Sequence, residues 1–149
     1  MNTEYVGSWM SNDVITVAPG SSPVEAANLM KKYNIRRLPV VQEDGQLVGM
    51  LTIGDVRQAA ASDADSLSIW ELHDLLARLK VKRVMTANPI TVQAGDTVAT
   101  AAKLMLDHKV GGLPVTDPVT NHLKGIITES DIFRLVVKLW GEAQPVVLG

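Results

Sequence analysis

The sequence predicts an α+β fold made from one unit used twice, and three observations lead there. The stretch Gly49-Met50-Leu51-Thr52-Ile53-Gly54-Asp55 returns as Gly125-Ile126-Ile127-Thr128-Glu129-Ser130-Asp131. Upstream, Met10 to Val17 lies over Met85 to Val92 at an offset of 75, with the Ile-Thr-Val triplet intact in both. Within each copy, short β-branched runs alternate with segments of helical period. Self-similarity on this scale governs the rest of the reading.

The bounds set by composition agree. At 149 residues the chain buries roughly 70% of its unfolded surface, whereas a unit of about 60 residues is marginal alone, so the two copies are expected to share one core. Hydrophobic content of 46% and charged content of 20% are globular values. No apolar run approaches the roughly 20 residues of a membrane span, so no membrane partner is expected. A net charge of −2 gives no reason to expect nucleic acid. With no cysteine, disulfides, thiolate metal sites and cysteine nucleophiles are excluded. The N-terminus has Glu4 and no basic-then-apolar stretch, which reads as no signal peptide and a cytoplasmic protein.

Taken in order, residues 1–7 carry no pattern and form a lead-in or mobile end. The first repeat, 8–61, opens with a strand through Thr16 and Val17. Ser22-Pro23-Val24-Glu25 has capping-box spacing with proline at the first helical position, and Ala26, Ala27, Leu29 and Met30 continue on a helical period. Ile35 to Val41 is a strand whose Pro39 lacks a ladder donor and favours an edge. Glu43-Asp44-Gly45-Gln46 is a hairpin turn into Leu47 to Leu51. The small, polar residues from Ala59 to Ser66 read as a loop after the closing helix, running into a linker, 62–83. That linker's helix begins at Ser68-Ile69-Trp70-Glu71 and aligns Ile69, Leu72, Leu76 and Leu79.

The second repeat, 84–140, repeats the order: a strand through Thr91 and Val92, a helix from Asp96-Thr97, a strand Val110 to Thr116 with Pro114, then a turn one residue longer than the first. Its closing helix, from Asp131 to about Trp140, is expected to bury Ile132, Leu135, Val136 and Leu139. Gly141 stops it, and 141–149 form a tail.

With L-P-V in the second strand and G-h-h-T-x-x-D at its end, h being apolar, each copy resembles a cystathionine β-synthase (CBS) domain. The whole resembles a tandem pair, or Bateman module, of the stand-alone bacterial type that includes acetoin-utilisation proteins. The resemblance implies two β-α-β-β-α motifs packed through their sheets with pseudo-twofold symmetry, and clefts between them that take adenosine nucleotides or S-adenosylmethionine. It assigns Thr52 and Thr128 to phosphate, and Asp55 and Asp131 to ribose hydroxyls. It sets Thr16, Val17 and Pro39 beside one adenine, and Thr91, Val92 and Pro114 beside the other. Arg36 and Arg37 stand where some members place a phosphate-binding His-Arg pair; the second copy has Gly111 and Gly112, with His108 and Lys109 as weaker substitutes. One strong site and one weak or empty one are therefore expected, with either adenosine open to the two arginines because phosphates in the family lie towards the interface between repeats. The resemblance also implies a homodimer formed through helices.

A plainer reading stands beside each of these. Thr-x-x-Asp at a helix start is itself a capping box, and a hydroxyl there can serve either the helix or a phosphate. A basic doublet such as Arg36-Arg37 can be a solvated edge, although guanidinium geometry suits phosphate. His73, His108 and His122 are scattered without metal-ligand spacing, so no metal is expected. No phosphate loop, dinucleotide fingerprint or nucleophile elbow is present, which argues against an enzyme. The ligand is then a regulatory signal rather than a required cofactor, and the competing role is a ligand-free dimerisation or interaction module.

Overall fold

The computed structural model describes residues 3–64 and 67–141, with the backbone alone at 62–64. The expected tail lies outside these from residue 142 onward. The chain divides into two compact units. One holds residues 14–89 and 120–123 and is called the Asp55 unit. The other holds the chain up to Asp13, 90–119 and the chain from Lys124, and is called the Asp131 unit.

The Asp55 unit begins at a short extended stretch. Val17 makes a single parallel bridge to Val40, donating its N–H to the Pro39 carbonyl at 3.1 Å and accepting from Val41 at 3.0 Å. A full strand was expected here. Pro19 has no N–H for a ladder, and the Ser21 amide turns back onto the Ala18 carbonyl, so pairing stops after one bridge.

Helix α2 (Pro23–Tyr33) starts as its sequence predicts. Ser22 caps it by accepting from the Glu25 amide at 3.1 Å, and Pro23 fills its first position. It ends at Asn34 in the left-handed conformation that asparagine tolerates. Strands β1 (Arg37–Val41) and β2 (Leu47–Thr52) pair antiparallel through a turn at Gly45, whose φ of 88° suits glycine.

Strand β2 runs into α3 (Ile53–Ala64). The alanines from Ala59 extend this helix to Ala64, into the stretch expected to be a loop, because alanine is the strongest helix former; residues 65 and 66 of that stretch lie outside the described residues. Helix α4 (Ile69–Arg78) is capped by Ser68 through the Glu71 amide at 3.2 Å and packs on α2 and α3. Its half-buried side chains are Leu72, Leu75, Leu76 and Leu79; Ile69, expected in that stripe, is 79% exposed. After a 3-10 turn at Val81–Arg83, β3 (Thr86–Ala87) pairs with β2, giving the sheet order β1-β2-β3.

The end of the second copy's longer turn, from Thr120 to Leu123, belongs to this unit as well. Asn121, in left-handed conformation, gives its carbonyl to the Leu47 amide at 3.2 Å, and its side-chain amide donates to the Leu47 carbonyl at 3.0 Å. The extra residue thus lines the hairpin rather than dangling at a tip.

The Asp131 unit follows the same plan. It contains α1 (Val6–Trp9), α5 (Val98–His108), the pair β4 (Gly112–Thr116) and β5 (Leu123–Thr128), and α6 (Glu129–Val136). Val92 bridges Val115 as Val17 bridges Val40, and Thr97 caps α5 as Ser22 caps α2. Beyond Val136 the helix widens into i→i+5 bonding over Val137–Gly141. That turn takes Leu139 off the inward stripe: it is 44% exposed and Val136 40%, whereas Leu135 is buried as expected.

The copies do not share one core; two clusters form. One contains Val17, Ala26, Met30, Leu38, Val40, Leu51 and Val81, and the other Val92, Ala101, Met105, Leu113, Val115, Ile127 and Val6. These are matching positions of the two repeats, with one exchange. Val6, which precedes the first copy, is fully buried with the second copy; Val81, which precedes the second, is fully buried with the first. The supposedly patternless start is therefore core. No helix among the described residues is long and apolar enough to cross a membrane.

Candidate functional site

The exchange of lead-ins explains the glycines of the repeated motif. A Cβ at Gly49 would run into the Met85 side chain and stand 3.0 Å from the Thr86 carbonyl oxygen. A Cβ at Gly125 would stand 2.7 Å from the Ser11 carbonyl oxygen and 2.8 Å from Met10 Sδ. The methionines that matched in sequence thus cross the glycines that matched in sequence. Strand β2 or β5 is held from that side, and its end is delivered to the helix that follows.

In the Asp55 unit, the Thr52 amide donates to Asp55 Oδ2 at 2.8 Å, and the Asp55 amide donates to Thr52 Oγ1 at 3.1 Å. This is the reciprocal capping box that the spacing predicts. Both side chains are half-buried, so they keep a solvent-facing side. The β1–β2 register sets Arg37 directly opposite Thr52, and the Ile53 amide donates to the Arg36 carbonyl at 2.8 Å. Sequence-distant basic and Thr-x-x-Asp elements therefore meet at one strand-to-helix junction. Arg36 is exposed and Arg37 half-buried. Thr16 is exposed beside buried Val17 and Pro39, so the first strand contributes backbone and one hydroxyl to this edge, with its apolar side chains turned inward.

In the Asp131 unit the box recurs with a different electrostatic setting. The Thr128 amide donates to Asp131 Oδ2 at 2.8 Å, and the Thr128 hydroxyl lies 3.3 Å from the same oxygen. Asp131 is only 5% exposed, and Arg134 Nη1 donates to its Oδ1 at 2.8 Å. These bonds replace the water that burial takes from the carboxylate oxygens. The Glu129 amide donates to the Gly111 carbonyl at 3.1 Å, the counterpart of the Ile53–Arg36 bond. Thr91 is half-buried, while Val92 and Pro114 are buried.

Sequence reasoning missed Arg134, whose partner is one helical turn away on α6, and Arg57, exposed on α3. An i,i+3 acid–base spacing could have revealed Arg134. The two junctions differ in charge. Arg36, Arg37 and Arg57 of one are replaced by Gly111, Gly112 and Phe133 of the other, Ile53 becomes Glu129, and Arg134 is committed to Asp131. Among the described residues no group of His, Asp and Glu could hold a metal ion.

The CBS domain family model matches residues 6–62 and 81–138. Both matches begin at the exchanged valines. A CBS domain-containing protein of Dictyostelium discoideum is 35% identical over 142 residues, which are 91% of this chain and 93% of that protein. An uncharacterized protein of Methanocaldococcus jannaschii is 31% identical over 138 residues, 88% of this chain but 46% of its own length, so the chain spans about half of that relative.

Among solved structures, the CBS domain pair of protein MJ0100, in complex with 5′-methylthioadenosine and S-adenosyl-L-methionine, superposes with a TM-score of 0.78 at 30% identity, covering 96% of this chain and 100% of that one. CBSX2 in complex with AMP gives 0.77 at 25%, covering 91% and 98%. An acetoin utilization protein from Vibrio cholerae gives 0.78 at 25%, covering 97% and 100%.

Proposed function

The chain belongs to the CBS domain family, and on that premise we propose that it is a regulatory module that binds an adenosine nucleotide or derivative at its Thr-x-x-Asp junctions. The observation that carries this reading is the doubled capping box with basic residues brought opposite it: Arg37 faces Thr52 in register, although 15 residues separate them in sequence. A helix N-terminus with a hydroxyl and adjacent guanidinium groups is matched to phosphate oxygens. A carboxylate already anchored by a backbone N–H keeps lone pairs for ribose hydroxyls. The complexes of MJ0100 and CBSX2 with adenosine compounds support the same class of ligand.

In this reading Thr52 and Thr128 contact phosphate, and Asp55 and Asp131 contact ribose. Thr16, Val17 and Pro39, or Thr91, Val92 and Pro114, border the base. Arg36 and Arg37 make the Asp55 junction the stronger phosphate site. The module performs no catalysis of its own; ligand binding shifts an equilibrium that a partner reads, which requires unequal affinity for two states.

A panel of AMP, ADP, ATP and S-adenosylmethionine in a thermal-shift assay tests it. A ligand at 100 times its dissociation constant adds about 2.7 kcal/mol, or roughly 5–11 °C for a domain of this size. No shift with any of the four at millimolar concentration sinks the proposal. The alternative, a ligand-free module that dimerises through its helices, is favoured by exposed Ile69, Trp70, Phe133 and Trp140, and sedimentation of the unliganded chain tests it.

A further inference from the structure

The two Thr-x-x-Asp junctions share a backbone plan and differ in where one hydroxyl proton goes. At the Asp55 junction the Thr52 hydroxyl oxygen accepts from the Asp55 amide at 3.1 Å, which leaves its O–H to donate outward. At the Asp131 junction the Thr128 hydroxyl lies 3.3 Å from Asp131 Oδ2 and donates to it, since an ionised carboxylate only accepts. Thr52 can therefore give a proton to a phosphate oxygen, whereas Thr128 has given its own to the protein.

Charge differs in the same sense. The first turn of α3 holds one acid, Asp55, and that of α6 holds two, Glu129 and Asp131. Two carboxylates offset the positive end of α6, the feature that would draw a phosphate. Around α3 stand Arg36, Arg37 and Arg57, of which Arg36 and Arg57 are exposed and join no ion pair among the described residues. At the matching positions around α6 are Gly111, Gly112 and Phe133, and Arg134 is held by Asp131 Oδ1 at 2.8 Å. The neighbouring helix ends follow suit: Lys31 and Lys32 of α2 become Leu106 and Asp107 of α5, with Lys109 in place of Asn34 as the single lysine gained in return.

We infer that the two junctions divide adenosine ligands by the charge at the 5′ position. The Asp55 junction takes a 5′-phosphate; the Asp131 junction takes an adenosine whose 5′ substituent is a cationic sulfonium, and Glu129 excludes phosphate from it. This division rests on the proposal that both junctions bind adenosine, and it narrows that proposal, since of the two threonines Thr52 alone then serves a phosphate. Glu129 acts through its charge: a carboxylate one residue from Thr128 attracts a sulfonium, repels a phosphate and is indifferent to an uncharged thioether. Ile53, in its place in the first copy, makes no such distinction. A module built this way reads two chemically different signals rather than one signal twice.

Calorimetric titration of the full chain with AMP, S-adenosylmethionine and S-adenosylhomocysteine, the thioether that lacks only the sulfonium charge and its methyl group, tests it. The wild type is expected to bind S-adenosylmethionine about three- to fivefold more tightly than the thioether at low salt, the scale of one exposed charge at a helix end. That preference should shrink as ionic strength rises. Glu129→Gln, an isosteric change at an exposed position, should abolish the preference and raise the affinity of the Asp131 junction for AMP by a similar factor. Asp131→Asn, which keeps an oxygen for the cap, should remove S-adenosylmethionine binding and leave AMP binding in place; Arg57→Ala should weaken AMP alone. Equal binding of sulfonium and thioether to the wild type overturns the inference and leaves the adenosine reading standing, as does a preference that survives Glu129→Gln or the loss of AMP and S-adenosylmethionine together in Asp131→Asn. Silence of all three ligands overturns both.

Discussion

Replacing Gly125 by alanine puts a methyl group where two atoms already stand. The added Cβ is 2.7 Å from the Ser11 carbonyl oxygen and 2.8 Å from Met10 Sδ. The sulfur belongs to a flexible side chain, but the oxygen cannot withdraw cheaply. Ser11 and Ile126 exchange both backbone hydrogen bonds, at 2.9 and 3.0 Å, so moving that carbonyl breaks the pairing that fastens the N-terminal lead-in. Overpacking of this kind costs about 1–3 kcal/mol, which for a chain of this size lowers the melting temperature by roughly 2–12 °C.

Gly49→Ala makes the informative comparison. There the tightest neighbour is the Met85 side chain, and the nearest carbonyl oxygen, that of Thr86, is at 3.0 Å. Met85→Ala should therefore rescue Gly49→Ala substantially, while Met10→Ala rescues Gly125→Ala little. Thermal denaturation of the four single and two double variants by circular dichroism reads both cycles. A Gly125→Ala protein that melts with the wild type, or equal rescue in the two cycles, would refute the claim that a crossing backbone dictates the motif glycine.

Other expectations follow from the same contacts. Val6→Ala removes two fully buried methyl groups and should cost about 2 kcal/mol in urea unfolding, because the lead-in is core; an unchanged midpoint would show that it is not. Ser22→Ala strips the cap from the Glu25 amide and should cost about 1 kcal/mol by the same measurement. Arg37→Ala should weaken ATP more than adenosine in fluorescence competition, and equal weakening of both would argue against a phosphate role.

The sequence carried the repeat well, since its apolar and capping positions are set by local physics. Ser22, Ser68 and Thr97 cap where their spacing predicts, and Asp55 and Asp131 lie one helical turn from the threonines whose amides they accept. What escaped was tertiary. Val6 lies in a stretch with no periodicity of its own, and nothing local says that it packs against α5 of the other copy. The first strand of each repeat shrank to one bridge because a proline or an early turn denied it further donors. Ala59 to Ala64 was misread through small residues that suit loops and helices alike. At the site, the Arg37–Thr52 register could be read only once β1 and β2 were paired. The Arg134–Asp131 bond was legible as an i,i+3 spacing, but one of many on any helix.

Whether the two junctions bind an adenosine ligand is decided by calorimetric titration of the wild type, Asp55→Ala and Asp131→Ala with AMP and S-adenosylmethionine. The expected result is binding to the wild type, loss of the tighter AMP site in Asp55→Ala and retention of that site in Asp131→Ala. Titrations identical in all three proteins, or no binding to the wild type in a chain shown to be folded, would contradict it.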